Sequence, residues 1–456
     1  MGGIIGVENT QDASTLVAVG LMTLQHRGEE SSGITISGNE GMKTFRSTGL
    51  VSRLVNSDAL NKHTGTAAIG HVRYTSAAKS SLVNALPFQM SCIHGQVSVA
   101  QDGNLTNFTK LKDMLLKRGA IFSHTSDTEI LLHLIAMSKG SFPDVIAKSL
   151  KMLDGAFSVV VLREKTLIGA RDINGIRPLV LGKIDNSHML ASETSAIEVM
   201  GGKYIRDIEP GEIIVIENGR IKKSFFYKKS VKQSTCIFEQ VYISRPDSMV
   251  FGQSVKEARV KMGAYLAEQM KGVKADIVMP VPDTGYFAAM GFSRASGILF
   301  EAGFVRNHYL GRSFIKPSQH LRDLTAKLKL RPIKDVVNGK DIVLIDDSIV
   351  RGTTSRRIIK MLKDAGVKKI HLALSCPPVI APCFYGIDTP VKEHLIAATQ
   401  SKEKIKKYLE VESLTFLSLD NLAKACCALE KCKNGFCTAC FSNKYPTKIS
   451  KDTYRE

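Results

Sequence analysis

The segment Asp341 to Ser355, DIVLIDDSIVRGTTS, constrains the fold more than any other part of the chain. An apolar run, Ile342 to Ile345, ends abruptly in Asp346 and Asp347. A turn rich in Ser, Arg, Gly and Thr then leads into SRRIIKMLKDAG, a helical pattern with a glycine stop. A short apolar strand followed at once by a helix is the unit of a parallel sheet covered on both faces. The same rhythm recurs nearby: Ser254 to Met270 and Phe287 to Ala295 read as helices, ADIVMPVPD as strand and turn, KKIHLALSCPP as strand. Ligands of such sheets sit beyond the carboxyl ends of the strands. The acid pair and its turn are therefore predicted to line a site.

The first 230 or so residues follow another pattern. Short strand-like runs, such as Phe157 to Leu162 and Ile213 to Ile216, lie close to turn signals, while Thr15 to Gln25 and Thr128 to Met137 read as helices. Layers of strands and helices are expected. At Tyr227 to Thr235, YKKSVKQST, charged and small polar residues replace the apolar pattern. A chain of 456 residues also exceeds the usual single core of about 100–200 residues. Two domains are expected, 1–232 and 233–456.

No apolar run approaches the roughly 20 residues that cross a bilayer, so no membrane span is indicated. The amino terminus carries no basic cluster ahead of an apolar core, and a cytoplasmic location is expected. The formal charge of +19 comes with no tryptophan and few aromatics among the basic residues. That argues against nucleic acid and leaves solvated lysines and a phosphate-rich ligand to account for it. Nine cysteines, five of them between Cys426 and Cys440, point to metal or catalysis rather than to a disulfide scaffold.

A turn that enters a helix offers backbone N–H groups, hydroxyls and the positive end of the helix dipole to a phosphate. The adjoining carboxylates suit ribose hydroxyls or a Mg²⁺ ion held near the phosphates. Alone, an Asp-Asp pair would read as surface aspartates ahead of a capped helix. Four further segments argue otherwise: VPDTG at Val281 to Gly285, RNHYLGRSFIKPSQ at Arg306 to Gln319, CIFEQVYISRPDS at Cys236 to Ser248 and PCFYGIDTP at Pro382 to Pro390. Together with DDSIVRGTTS they resemble the amidophosphoribosyltransferase family, from about residue 2 to residue 447. That family takes ammonia from glutamine and joins it to phosphoribosyl pyrophosphate (PRPP), releasing pyrophosphate in the first step of purine synthesis.

The resemblance implies a mixed α/β and α+β fold. An amino-terminal αββα class II glutamine amidotransferase domain, of the amino-terminal nucleophile hydrolase type, precedes a type I phosphoribosyltransferase domain with a parallel sheet. It implies that Asp346 and Asp347 hold ribose and Mg²⁺ with help from the Thr284 hydroxyl. Ser348, Arg351, Gly352, Thr353 and Thr354 would cradle the 5-phosphate. A basic loop including Arg312, Lys327 and Lys329 would close over pyrophosphate, where negative charge develops and water must be excluded. Cys437 and Cys440, a C-x-x-C equally compatible with zinc by itself, match with Cys236 and Cys383 the four ligands of a [4Fe–4S] cluster in one subgroup. Cys92, Cys376, Cys426, Cys427 and Cys432 match no ligand position and read as small buried fillers.

In the amino-terminal half LQHRGEESSG, GHVRYTSA, DGNLTN and SDTEILLHLI resemble the amidotransferase motifs. Arg73 and Asp127, with Gly103, match the glutamine-binding positions, and Arg27 one beside the nucleophile. Two positions depart from the pattern. Gly2 stands where the family has its nucleophilic cysteine, and glycine has no thiol to form the glutamyl thioester. Asp102 stands where an asparagine N–H stabilises the oxyanion, and an ionised carboxylate would repel that charge. Loss of glutamine hydrolysis is therefore expected, with ammonia or another donor supplying nitrogen. The resemblance further implies a homo-oligomer, a tetramer, inhibited by purine nucleotides. A non-catalytic PRPP- or nucleotide-sensing paralogue and a transferase using a different amine in a specialised pathway remain as alternatives.

Overall fold

The opening strand, Gly2–Glu8, has every residue buried and so must be covered on both faces. In the computed structural model it lies in the middle of a seven-stranded antiparallel sheet. Residues 2–57, 60, 62–74, 81–229, 232–307, 330–387, 389, 391–427 and 435–449 are described. Across this sheet the strands run Lys203–Asp207, Val180–Ile184, Ser187–Ala191, Gly2–Glu8, Ala67–Arg73, Ser31–Gly38 and Gly41–Thr48. A second antiparallel sheet runs Arg220–Phe226, Glu212–Glu217, Thr166–Arg171, Gly155–Arg163, Gly95–Leu105 and Phe88–Cys92.

Three apolar layers follow. Helix Ala13–Thr23 packs on the first sheet over Ile5, Val7 and Val72. Ile4, Ile69, Val160 and Ile214 fill the space between the sheets. Helices Thr128–Met137 and Phe142–Leu150 cover the second sheet over Val97, Val159 and Ile213. This is the expected αββα arrangement. Phe157 to Leu162 and Ile213 to Ile216 are each the centre of a strand, and Thr128–Met137 is a helix with the bounds read from sequence.

The carboxyl-terminal half holds a five-stranded parallel sheet ordered Leu299–Phe300, Ile277–Pro280, Asp341–Asp346, Lys369–Leu374 and Ser413–Phe416. Helices Val255–Gln269 and Tyr286–Ser296 cover one face, Thr353–Asp364 and Lys402–Leu409 the other. The first begins where the sequence signals, since the Ser254 hydroxyl accepts from the Glu257 N–H (3.3 Å) and caps it. Helices 255–269 and 286–296 meet closely enough to require glycine: a Cβ on Gly263 would lie 1.8 Å from the Ala288 carbonyl oxygen, and one on Gly291 1.9 Å from that of Val260. No described helix is long and apolar enough to cross a membrane.

Candidate functional site

The central strand Asp341–Asp346 delivers both aspartates to the carboxyl edge of the parallel sheet. Asp347 is 7% exposed; its carboxylate accepts from Ser348 Oγ (2.5 Å) and from Thr284 Oγ1, while its N–H donates to Asp346 Oδ1 (2.9 Å). Thr284 arrives from the turn after Ile277–Pro280, so the structure joins the VPDTG and DDSIVRGTTS segments at one point. Burial, and for Asp346 the neighbouring charge of Asp347, push both carboxyl groups above the ordinary range. Such a pair calls for a cation or for hydroxyl donors. The turn ends at Gly352, whose φ of +76° favours glycine, and helix Thr353–Asp364 follows. Arg351, Thr353 and Thr354 are exposed around the helix start. The site thus presents hydroxyls, helix-end N–H groups and two carboxylates on one rim.

The second site lies where Gly2–Glu8, Ala67–Arg73 and Gly95–Leu105 approach one another. Gly2 pairs with Arg73 across the sheet, and its N–H donates to Asp102 Oδ1 (2.9 Å). Asp102 is 1% exposed and also accepts from Arg27 Nη2 (3.2 Å) and Arg177 Nε (3.0 Å). Burial alone would raise its pKa, but Arg177 and Arg27 overcome it and hold the carboxyl at about 2. The same arginines meet Glu239, at 2.9 Å from Arg27 and 3.1 Å from Arg177, and Arg27 also meets Glu193 at 2.7 Å. Arg27 Nε donates to the Gly2 carbonyl (2.8 Å). Arg73 donates to the Asn84 carbonyl, Asn84 Nδ2 to Thr125 Oγ1 (2.8 Å), and Leu105 N–H to Asp127 Oδ2 (2.7 Å). The predicted residues Gly2, Arg73, Asp102, Gly103 and Asp127 therefore converge.

His71 sits against Gly2, and burial, then the neighbouring Arg73 charge, push its pKa down to about 3. A histidine held neutral in the fold takes up a proton on unfolding below about pH 6.5. His71 and Asp102, both depressed, remove stability as pH falls, His71 from about 6.5 downward and Asp102 only from about 4. Urea unfolding should therefore show a loss of stability between pH 6.5 and 5 that shrinks in His71→Gln. An unchanged pH slope in that variant would remove His71 as its source.

Comparison with known proteins adds a decisive observation. The family described as glutamine amidotransferase domain matches residues 85–199. The chain is 42% identical over 455 residues to amidophosphoribosyltransferase of Bacillus subtilis, covering 99% of this chain and 95% of that protein. It is 43% identical to Arabidopsis thaliana amidophosphoribosyltransferase 1, chloroplastic, covering 98% and 78%. This chain belongs to the amidophosphoribosyltransferase family. A solved glutamine PRPP amidotransferase from B. subtilis, complexed with ADP and GMP, superposes with a TM-score of 0.93 at 42% identity, covering 99% of each chain.

Relative to the family reading, the cysteines divide as follows. Cys236 and Cys437 stand opposite each other in the short parallel pair Ser234–Cys236 and Gly435–Cys437. The carbonyl of Cys440 accepts from Ile380 and Ala381 N–H, which brings it beside the segment carrying Cys383. Cys236, Cys437 and Cys440 share one apolar core with Cys376, partly buried Cys383 packs against it, and burial raises the Cys236, Cys437 and Cys440 thiols, with smaller upward contributions from one another and from Cys383. Among the described residues no three or more His, Cys, Asp or Glu side chains form a closed metal-binding group. Cys376 and Cys426 are buried fillers, as expected, and Cys92 is partly buried. Cys427 is a correction: it is disulfide-bonded rather than a filler.

Arg312, Lys327, Lys329 and Cys432 lie outside the described residues. The amidophosphoribosyltransferase motifs led to Arg27 but not to its partners Glu193 and Glu239, nor to Arg177, which shares Asp102 and Glu239 with it, nor to Arg259. Each is buried and charged, and a buried charge must be paired. No local pattern pairs them, although NGIRP and CIFEQ each place a charge inside an apolar context.

Proposed function

We propose that this enzyme forms 5-phosphoribosylamine from PRPP with release of pyrophosphate in de novo purine biosynthesis, taking free ammonia or an amine from another donor rather than the amide of glutamine. The observation that carries the second half is Asp102. By the family resemblance it takes the oxyanion position, and its carboxylate is bound by Gly2 N–H, Arg27 and Arg177. A developing oxyanion there would meet a paired carboxylate in place of an amide donor. Gly2 offers no thiol. Arg73, Gly103 and Asp127 then mark a vestigial glutamine site.

In the phosphoribosyl site, Asp346 and Asp347 face the ribose hydroxyls, and the Ser348–Thr354 turn binds the 5-phosphate through N–H groups and hydroxyls. The donor set of two carboxylates and the Thr284 hydroxyl fits Mg²⁺, which when bound neutralises pyrophosphate charge. Arg312, Lys327 and Lys329 serve the leaving pyrophosphate. The proposal also divides the chain at 232/233 and includes a cytoplasmic homo-oligomer, a tetramer by family resemblance. Inhibition by purine nucleotides is supported by the relative solved with ADP and GMP.

The deciding experiment follows PRPP-dependent pyrophosphate release by anaerobically purified protein, with glutamine and with an ammonium salt in parallel. Release with ammonium alone is expected. Release with glutamine would overturn the reading of Gly2, and silence with both would favour a sensing role.

Cys236, Cys383, Cys437 and Cys440 are proposed to hold a [4Fe–4S] cluster that pins the carboxyl-terminal segment onto the domain. The reading is supported by Cys236 standing opposite Cys437 and by Cys440 lying beside the segment that carries Cys383. Anaerobic protein should carry about four iron and four sulfide per chain, and Cys437→Ser should lose them. Zinc in place of iron would sink the cluster assignment.

A further inference from the structure

Asn84 joins two parts of the amino-terminal pocket that lie far apart in the sequence. It closes the single helical turn Leu82–Asn84 and is 8% exposed. Its carbonyl accepts from Arg73 Nη1, at the end of strand Ala67–Arg73. Its side chain turns to the segment ahead of helix Thr128–Met137, where Oδ1 accepts from Thr125 N–H (3.0 Å) and Nδ2 donates to Thr125 Oγ1 (2.8 Å). Its own N–H donates to the Ser81 carbonyl (3.1 Å). Main chain and side chain of one residue thus fix the turn, Arg73 and Thr125 relative to one another.

The segment it holds leads directly to Asp127. Glu129, 2% exposed, accepts from Ser123 N–H (2.8 Å) and His124 N–H (2.9 Å), and Asp127 Oδ2 accepts from Leu105 N–H (2.7 Å). Glu129 and Leu105 tie residues 123–127 to the following helix and to the strand Gly95–Leu105. Asn84 ties the same residues to Arg73.

Arg73 offers a cation to a carboxylate and Asp127 an anion to an ammonium group, so an α-amino acid between them is read by its two charged head groups. A ligand gripped at two points gains from both only when their separation is set before it arrives. A buried side-chain amide suits that task, because it makes two bonds to one residue and brings no charge to compete with the ligand.

We propose that Asn84 is a positioning residue of this pocket, holding Arg73 and the Thr125–Asp127 segment in one frame, so that the domain still grips a free α-amino acid although Gly2 offers no thiol to cleave it. This rests on the reading of Arg73 and Asp127 as a glutamine site. Asn84 acts through Arg73 and Thr125, not on the ligand.

The test uses the full chain and measures, by calorimetry, the Kd and stoichiometry of L-glutamine and of N-acetyl-L-glutamine, which lacks the ammonium group. Asn84→Ala removes both side-chain bonds and should raise the L-glutamine Kd about 10-fold. The N-acetyl-L-glutamine Kd should change less than about 3-fold, since a probe held at one point loses little when the frame relaxes. Thr125→Val keeps the shape without the hydroxyl and should raise the L-glutamine Kd about 2- to 3-fold, and Thr125→Ser should restore it. A merely structural role would lower the stoichiometry through the folded fraction and leave Kd, and the ratio between the two probes, unchanged. An unchanged L-glutamine Kd in folded Asn84→Ala overturns the proposal; if that variant does not fold, equal Kd in Thr125→Val and Thr125→Ser overturns it. Wild-type protein that binds no L-glutamine overturns the glutamine-site reading, and the proposal with it.

Discussion

Replacing Asp347 by asparagine should lower ammonia-dependent pyrophosphate release by about 10²- to 10³-fold, the usual effect of removing one preorganised electrostatic partner of the reacting group. Asparagine keeps the shape of the side chain: one of Ser348 Oγ and Thr284 Oγ1 still donates to its amide oxygen, and the other hydroxyl turns to accept from the amide N–H. The charge is lost, together with one acceptor oxygen. In a site where burial already opposes ionisation, a neutral amide neither holds a cation nor accepts strongly from ribose hydroxyls. Asp346→Asn should follow the same direction, because the two carboxyl groups share one site. Steady-state turnover with saturating ammonium, at matched folded fraction, is the measurement. Activity of Asp347→Asn within about 3-fold of wild type would refute the ribose and metal assignment, since an effect that small is within reach of indirect packing changes.

The phosphoribosyl half was legible because its signals are local. Ile342 to Ile345 is apolar because the strand is covered on both faces, and Asp346 marks its exit. Ser254 was read as a helix start and is the cap. The helix after the acid pair begins at Thr353 rather than Ser355, because Gly352 completes the turn two residues sooner. What could not be read is the set of charges joining residues 27, 102, 177, 193 and 239. Burial and ion pairing depend on which strands become neighbours, and nothing in a window of ten residues carries that. Asp102 shows the consequence. From sequence it was an ionised carboxylate that would repel an oxyanion; in the fold it is ionised but bound by two arginines. Its charge is matched from within the fold.

The same network decides what back-mutation can achieve. Gly2→Cys with Asp102→Asn should gain no glutamine hydrolysis, and Asp102→Asn alone should destabilise the protein by about 2–4 kcal/mol. An asparagine oxygen can accept from Gly2 N–H or from an arginine, but its amide group would point donors at donors. Arg27 and Arg177 keep Glu193 and Glu239 as counter-charges, so they are not orphaned, and the loss stays below that of breaking an isolated buried pair. At position 2 a Cβ would lie 2.6 Å from His71 Nε2 and 2.8 Å from the Val72 carbonyl, so the thiol enters only if the neighbouring strand shifts. Denaturant unfolding and glutamate release read the two effects separately. In an Arg177→Met background the asparagine change should cost less, because one of its ion pairs is already gone. Glutamate release by the double variant would show that the pocket had lost only its nucleophile and its oxyanion donor. An undiminished cost in the Arg177→Met background would mean that Asp102 is held by something other than the pair the structure shows.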